Sequence, residues 1–207
     1  MQTGPDLVSA GFPVSNPLIA LLGASNLSQP NVPPRSNLEW SAVLGTPSDT
    51  AIAGTGVGLA VAVPALPGLT ITAAKILAGA TAEATGSNGF VAVYSGIAVP
   101  ALLGSTAAIT GAAAIAASAA YTATLATPVT LSSTTCPNGF VYVSISFTAT
   151  TMPTLISATP PTATQTPWST TAPLFYGATH GTALAGTAPA TIASPATVAK
   201  VPLVTLI

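Results

Sequence analysis

The sequence predicts an all-β protein, an antiparallel β-sandwich of the jelly-roll type, and three observations indicate this class. Short segments alternate apolar with small residues, Gly and Pro punctuate the chain between them, and no long amphipathic helical pattern occurs after residue 50. Residues 57–63 are the clearest segment, because Val57, Val61 and Val63 alternate with glycine and alanine at the period of a half-buried strand. Many short strands with such turns are typical of sandwiches and jelly rolls.

Six further segments carry a strand pattern. They are residues 69–77, 90–94, 121–125, 129–131, 140–147 and 198–207. Turns are predicted at Pro67-Gly68, at Asn88-Gly89 and at residues 137–139, since Gly, Pro and Asn favour the backbone angles that turns require. Residues 106–120 are rich in alanine and could form a helix on propensity alone. We interpret them as a loop and an edge strand.

Residues 1–50 differ in composition from the rest of the chain. They contain seven of its 20 prolines and four of its seven charged residues. Two short helices are predicted there, one near residues 15–23 and one near residues 36–45. Asn16 is suited to cap the first helix, while Ser36 and Glu39 have the spacing of a capping box in the second. The predicted division is therefore an N-terminal anchoring arm, residues 1–50, and a jelly-roll domain, residues 51–207.

Both short helices would present an apolar face. These partner-docking candidates are Leu18, Ile19, Leu21 and Leu22 in the first helix and Leu38, Trp40, Val43 and Leu44 in the second. Helices of fewer than ten residues are marginal in isolation, so these faces must lie against something. They either cover one end of their own domain or dock on a partner or a neighbouring subunit.

Charge is almost absent from this chain. Three cations and four carboxylates give a net charge of −1, and residues 84–199 carry no formal charge. A nucleic-acid-binding protein needs a basic patch to neutralise phosphates, which three dispersed cations cannot form. Charge-driven disorder is excluded as well, because it requires a high net charge and few apolar residues.

The apolar composition raises the question of a membrane segment. Residues 97–126 are long enough to cross a bilayer, which takes about 20 residues. Pro100 and many Thr and Ser residues interrupt this stretch, and no Lys or Arg flanks it. We expect no membrane insertion, and the apolar run at residues 18–22 lacks the preceding cation of a signal peptide.

Catalytic chemistry has few candidates. The single histidine, His180, lies in a Gly-Ala-Thr-His-Gly-Thr context that predicts a loop, where it would be exposed or locally hydrogen-bonded. No serine has the glycine pattern of a nucleophile elbow, and no His, Cys and carboxylate cluster has the spacing of a metal site. We expect no enzyme activity, no catalytic residue, no metal and no cofactor. Cys136 is expected to be a buried or strand-end thiol, with an intermolecular cystine as the alternative.

An eight-residue pattern occurs twice, fifty positions apart. Asn-Gly-Phe-Val-Ala-Val-Tyr-Ser at residues 88–95 returns as Asn-Gly-Phe-Val-Tyr-Val-Ser-Ile at residues 138–145. Two copies are too few for a solenoid. We expect each copy to be a turn that leads into an inner strand, at equivalent places in the two halves of the sandwich.

The order of segments over residues 71–155 resembles the jelly-roll virion proteins of tailed bacteriophages, especially of actinobacterial hosts. Such proteins are often labelled minor tail or head-decoration proteins. The matching segments are residues 74–82, 88–96, 121–131, 139–147 and 151–155, with a short linker at residues 97–106. The core Leu-Ala-Thr-Pro-Val-Thr-Leu at residues 125–131 is the most recognisable part. Relatives often carry Asp or Asn in the linker after the first strand pair, where this chain has Tyr94-Ser95-Gly96.

The resemblance implies a virion structural protein that self-associates, commonly as a homotrimer, and that is assembled into particles in the host cytoplasm. Its partners would be other copies of itself and the major capsid protein or a tail protein. Docking through the apolar arm favours capsid decoration. The alternative is a minor tail or fibre protein, or an adhesion module that binds host-surface carbohydrate through Trp168, Phe175 and Tyr176.

Overall fold

The computed structural model describes residues 48–51, 54–84, 86, 88–110, 115–159, 177–198 and 200–207. Within these residues the protein is all-β, with three antiparallel sheets and no helix. The predicted fold class is thus confirmed at the level of an all-β protein. The predicted arm helices, and with them the whole of residues 1–47, lie outside the described residues.

The described strands are numbered in chain order. They are β1 (Ser48–Ala51), β2 (Gly58–Pro64), β3 (Thr70–Leu77), β4 (Asn88–Tyr94), β5 (Leu102–Ser105), β6 (Ala120–Thr130), β7 (Phe140–Thr148), β8 (Thr154–Ala158), β9 (Gly177–His180), β10 (Ala196–Thr197), β11 (Val201–Pro202) and β12 (Val204–Leu206). The largest sheet has the order β10-β9-β2-β7-β4-β5, and two smaller sheets have the orders β12-β3-β6 and β1-β8-β11. Strand β1 spans residue 50, where the sequence placed the division between arm and domain.

The main core lies between the six-stranded sheet and the β12-β3-β6 sheet. One face of β2, β4 and β7 supplies side chains such as Val61, Val91 and Val143, and these pack against Ile76 and Leu125 of the smaller sheet. Every residue of β2 is buried, whereas β3 and β6 alternate between buried and exposed residues. The six-stranded sheet is therefore covered on both faces, and the smaller sheet is covered on one.

Four predicted strands are confirmed, because residues 57–63, 69–77, 90–94 and 140–147 correspond to β2, β3, β4 and β7. The separation of residues 121–125 from residues 129–131 is wrong, since both belong to β6. The register of β3 against β6 shifts between Ile71 and Ala73. Pro128, which has no N–H for the ladder, falls in the part of β6 opposite that irregularity, so the strand continues past it.

The predicted final strand at residues 198–207 is also wrong as a single element. Strand β11 pairs with β8, and β12 pairs with β3 in a different sheet. Between them, the backbone N–H of Leu203 donates to the carbonyl oxygen of Ile156 at 2.9 Å. The chain changes sheets at this residue, and a local strand pattern cannot reveal such a change.

Turn predictions have mixed outcomes. Gly68 and Gly139 have positive φ values of 90° and 75°, which confirms the turns at Pro67-Gly68 and at residues 137–139. The turn predicted at Asn88-Gly89 is wrong, because both residues begin β4 and pair with β7. The edge strand expected within residues 106–120 is wrong for residues 106–110 and 115–119, which form no strand.

The two copies of the repeated pattern lie side by side. The first copy forms β4 and the second forms β7, and the two strands pair antiparallel over seven residue pairs from Asn88↔Thr148 to Tyr94↔Tyr142. The expectation that they occupy separate halves of the sandwich is therefore wrong. Both copies are inner strands of the six-stranded sheet, with β2 on one side of the pair and β5 on the other.

Candidate functional site

The outer face of the six-stranded sheet, opposite the main core, carries a second apolar cluster. Its buried members are Ala60, Ala62, Phe90, Ala92, Tyr94, Phe140, Tyr142, Ala188 and Ile192. Two of these come from the loop between β9 and β10, residues 181–195, which we call the cover segment. This segment closes the outer face in the way that a second layer would.

Hydrogen bonds attach the cover segment to the rest of the fold. Two of its amides donate to backbone carbonyls, Leu184 to Gly56 at 2.8 Å and Ile192 to Pro100 at 3.0 Å. Side chains of the sheet hold it as well: the Tyr94 hydroxyl donates to the carbonyl of Pro189 at 2.8 Å. The Thr148 hydroxyl donates to the carbonyl of Leu184 at 3.3 Å.

His180 lies beneath the beginning of this segment. It is the last residue of β9, it is 3% exposed, and its Nε2 forms a 2.7 Å hydrogen bond with Oγ of Ser144, which is 0% exposed. The prediction of a loop histidine that is exposed or locally bonded is wrong. Antiparallel pairing of β9 with β2, and of β2 with β7, brings together two residues that are 36 positions apart.

Glycine at position 58 makes this contact possible. Gly58 is the register partner of His180, and the imidazole ring lies directly across it. A Cβ at position 58 would approach Cε1 of the imidazole to 2.7 Å, closer than real Cβ atoms come to any neighbour. The ring is also edge-on to Tyr94, with centroids 6.2 Å apart, so Tyr94 contacts both His180 and the cover segment.

Burial determines the protonation of this face. Desolvation lowers the pKa of His180 below its usual value, which favours the neutral imidazole at pH 7. The same effect raises the pKa values of Tyr94 and Tyr142, so both phenols stay protonated. Ser146, two residues along β7 from Ser144, has a buried hydroxyl without a hydrogen-bond partner among the described residues.

An apolar groove of about 220 Å³ opens on the same face close to the Ser144–His180 contact, since its lining residue Ala60 is the register partner of Ser144. Its floor includes Ala60, Tyr142 and Ala178, and its rim includes Val99, which is 64% exposed, and Ser194. Ser194 has a φ of 46°, a conformation that a residue with a side chain adopts at a cost. The lining has no charged residue, so the groove suits an uncharged, apolar occupant.

Two other buried groups lie away from this face. Glu83 is 4% exposed and its Oε2 has no hydrogen-bond partner among the described residues. Burial raises the pKa of Glu83, and a backbone hydrogen bond from Ile115 offsets part of that rise. Cys136 is buried as expected, with Sγ donating to the carbonyl of Ser132 at 3.4 Å, and burial raises its pKa so that the thiol is unreactive.

A neutral imidazole bonded to a serine hydroxyl has the chemistry of a nucleophile and its base. Here both groups are buried within the sheet. The two carboxylates of the described residues contact other elements, Asp49 through the amide of Ala80 and Glu83 beside Ile115. Among the described residues, the pair is therefore a buried polar contact between β7 and β9.

The residues that the sequence proposed for docking and for glycan binding are not tested by this geometry. The arm residues Leu18, Ile19, Leu21, Leu22, Leu38, Trp40, Val43 and Leu44, and the aromatic residues Trp168, Phe175 and Tyr176, all lie outside the described residues. The sequence did not predict the groove or the contact between Ser144 and His180. The lone histidine was their only signal in the sequence, because nothing local indicates which serine it meets.

The described residues lack both a metal-binding cluster and a membrane-spanning helix. Among the described residues, no group of three or more His, Cys, Asp or Glu side chains could hold a metal ion. The same part of the chain contains no helix that is long and apolar enough to cross a membrane. The sequence matches no protein-family model and no curated protein.

Proposed function

We propose that this protein is a structural component of a tailed-phage virion, a capsid decoration protein that docks through its N-terminal arm and self-associates as a trimer. The observation that carries the proposal is the ordered resemblance over residues 71–155. Those residues supply β4 to β7, nearly all of β3 and the beginning of β8, including β7 of the six-stranded sheet and the central strand β3 of the facing sheet. The resemblance therefore includes buried strands of both packed sheets rather than surface segments alone.

The jelly-roll topology is part of the same proposal. Strands β2, β4, β5 and β7 share one sheet, while β3 and β6 pair in the facing sheet. The chain therefore crosses between the layers from β2 to β3, from β3 to β4, from β5 to β6 and from β6 to β7. Repeated crossing between two packed sheets is the winding that a jelly roll requires.

The neutral surface supports a role in assembly. Strand β6 exposes Thr122, Thr124 and Thr130, and Oγ1 of Thr130 is hydrogen-bonded to Oγ1 of Thr70 on β3 at 2.9 Å. Natural sheets usually protect their edges and faces with charged side chains. A surface with so few charges is better suited to burial against identical copies or against a particle.

Removing residues 1–45 is expected to abolish attachment to particles while the β-domain stays folded. Strand β1 begins at Ser48 and remains intact in this truncation, including the bond from the amide of Ala80 to Oδ2 of Asp49 at 2.9 Å. Attachment is measured by co-sedimentation with purified capsids and tails, and folding by circular dichroism. Removal of residues 1–51 also deletes β1, so this variant is the control for a truncation that disturbs the β-domain itself. Undiminished binding by the shorter truncation would refute docking through the arm.

Attachment and self-association are expected to survive molar salt. Only seven charged side chains occur in 207 residues, so screening of charge pairs removes little of the binding free energy. Co-sedimentation in 0.1 M and in 1 M NaCl measures this directly, with light scattering to follow the trimer. Release by salt alone would contradict assembly through apolar contacts, and a stable monomer that binds no particle would overturn the proposed function.

A further inference from the structure

His180 is the one histidine of the chain, and the structure buries it where the cover segment leaves the sheet. We propose that His180 is an acid-operated latch: protonation of its imidazole releases the cover segment and uncovers the apolar outer face, including the groove. The inference goes beyond the proposed virion role and does not depend on it. It rests on the surroundings of the ring, on the attachment of the segment and on the scarcity of other titrating groups.

Among the described residues, the surroundings of the ring offer no countercharge. Strand β2 contributes Gly58, β7 contributes Ser144, and β4 contributes the edge of the Tyr94 ring. Other side chains of the outer face, such as Tyr142 and Leu184, are uncharged as well. Neither described carboxylate reaches this face, because Asp49 binds the amide of Ala80 and Glu83 lies beside Ile115. A buried imidazolium without a carboxylate is strongly disfavoured.

The cover segment has few attachments, so it can detach while the rest of the fold stays in place. Residues 181–195 are held by a few hydrogen bonds, by one isolated β-bridge between Ala101 and Thr191, and by the packing of three apolar side chains, without an extended strand ladder. Gly181 and Ala183 have positive φ values of 66° and 54° directly after His180. Ala183 holds a strained conformation that opening would relieve. The core between the two main sheets keeps its contacts when this segment leaves.

The direction of the pH effect follows from the two states. In the closed state burial lowers the pKa of His180, whereas in the open state the solvated ring has its ordinary pKa near 6.5. The open state therefore binds a proton more readily, and the closed state is fully favoured above that pH. As pH falls below it, opening increases by up to tenfold per unit, until the buried ring also becomes protonated.

The pKa of Glu83 is also shifted by burial, but its effect on stability as pH falls is opposite to that of His180. Burial raises the pKa of Glu83 in the folded protein, so Glu83 stabilises the fold as pH falls. Loosening in mild acid therefore cannot come from Glu83. A Glu83→Gln variant removes this contribution and leaves the response of His180 isolated.

Hydrogen–deuterium exchange of the full chain tests the latch. Between pH 7.5 and pH 5.0, after correction for intrinsic exchange rates, we expect the opening of residues 181–195 to increase by up to about 30-fold. The amides of Leu184 and Ile192 report it directly, and amides of β3 and β6 serve as the internal reference. His180→Gln keeps a hydrogen-bonding amide but cannot titrate, so its exchange should not change with pH. Equal opening in the variant and the natural chain would overturn the proposal.

The single histidine also permits a test that needs no variant. The imidazole C–H resonances of the natural chain can be followed by NMR from pH 8 to pH 4 without ambiguity of assignment. We expect the ring to titrate below pH 6.5, together with the loss of protection in residues 181–195. Titration at or above pH 6.5, or titration that leaves the segment protected, would refute the latch even if His180→Gln fails to fold.

Discussion

Gly58→Ala is expected to lower the free energy of unfolding by about 2–6 kcal/mol. The new methyl group would collide with the imidazole of His180, and overpacking of this kind costs about 1–3 kcal/mol. Displacing the ring also breaks its bond to Ser144 and leaves buried polar atoms unpaired, which costs about 1–3 kcal/mol more. Urea unfolding followed by circular dichroism measures the total.

Gly54→Ala is the matched control for this substitution. Gly54 lies four residues earlier in the chain, and a Cβ built on it meets no atom within 4 Å. Alanine there should leave stability unchanged or raise it slightly, because it restricts the unfolded chain. If the two variants are equally stable, the contact between His180 and Gly58 does not exist in solution.

Gly89→Ala and Gly139→Ala are each expected to lower the free energy of unfolding, but for different reasons. The two glycines are nevertheless equivalent in the repeated pattern. At Gly89 a Cβ would lie 2.6 Å from Cδ1 of Phe147 and 2.8 Å from the carbonyl oxygen of Ser146, so the cost of about 1–3 kcal/mol is steric. At Gly139 the surrounding space is open and φ is 75°, so the cost of about 1 kcal/mol comes from the backbone.

Asparagine distinguishes the two mechanisms. Asn tolerates the left-handed conformation better than alanine does, so Gly139→Asn should be more stable than Gly139→Ala. At position 89 the order should reverse, because the larger side chain worsens the collision with Phe147. Thermal unfolding of the four variants gives this comparison. The same order at both positions would show that the first glycine lies in a turn, as the sequence had predicted.

The sequence predicts best those strands in which buried and exposed, or large and small, residues alternate within the segment itself. Val57, Val61 and Val63 alternate with small residues, and β3 and β6 alternate because one face of their sheet is exposed. Strand β9 has no such pattern, since its four residues Gly177 to His180 are small or polar. Those residues become a strand because β2 supplies a neighbouring edge with which they can pair.

The candidate site depends on register, which composition cannot reveal. Ser144 is one of many serines, and only its position opposite Ala60, with His180 opposite Gly58, brings the hydroxyl and the imidazole together. Asn88-Gly89 has the residues of a turn, yet the ring of Phe147 covers the glycine and the strand begins there. In both cases a tertiary contact overrides the local preference.

The pairing of β4 with β7 has a consequence for folding. Val93 and Val143 are equivalent in the repeated pattern, and they are also register partners. A local two-fold axis therefore passes between them and relates two nearly identical sequences. The same symmetry permits β4 of one chain to pair with β4 of another in an equivalent register, and these strands carry no charge to oppose it. The yield of correctly folded protein should consequently fall as the concentration of the chain rises. This dependence should end once β7 has paired with β4 of the same chain.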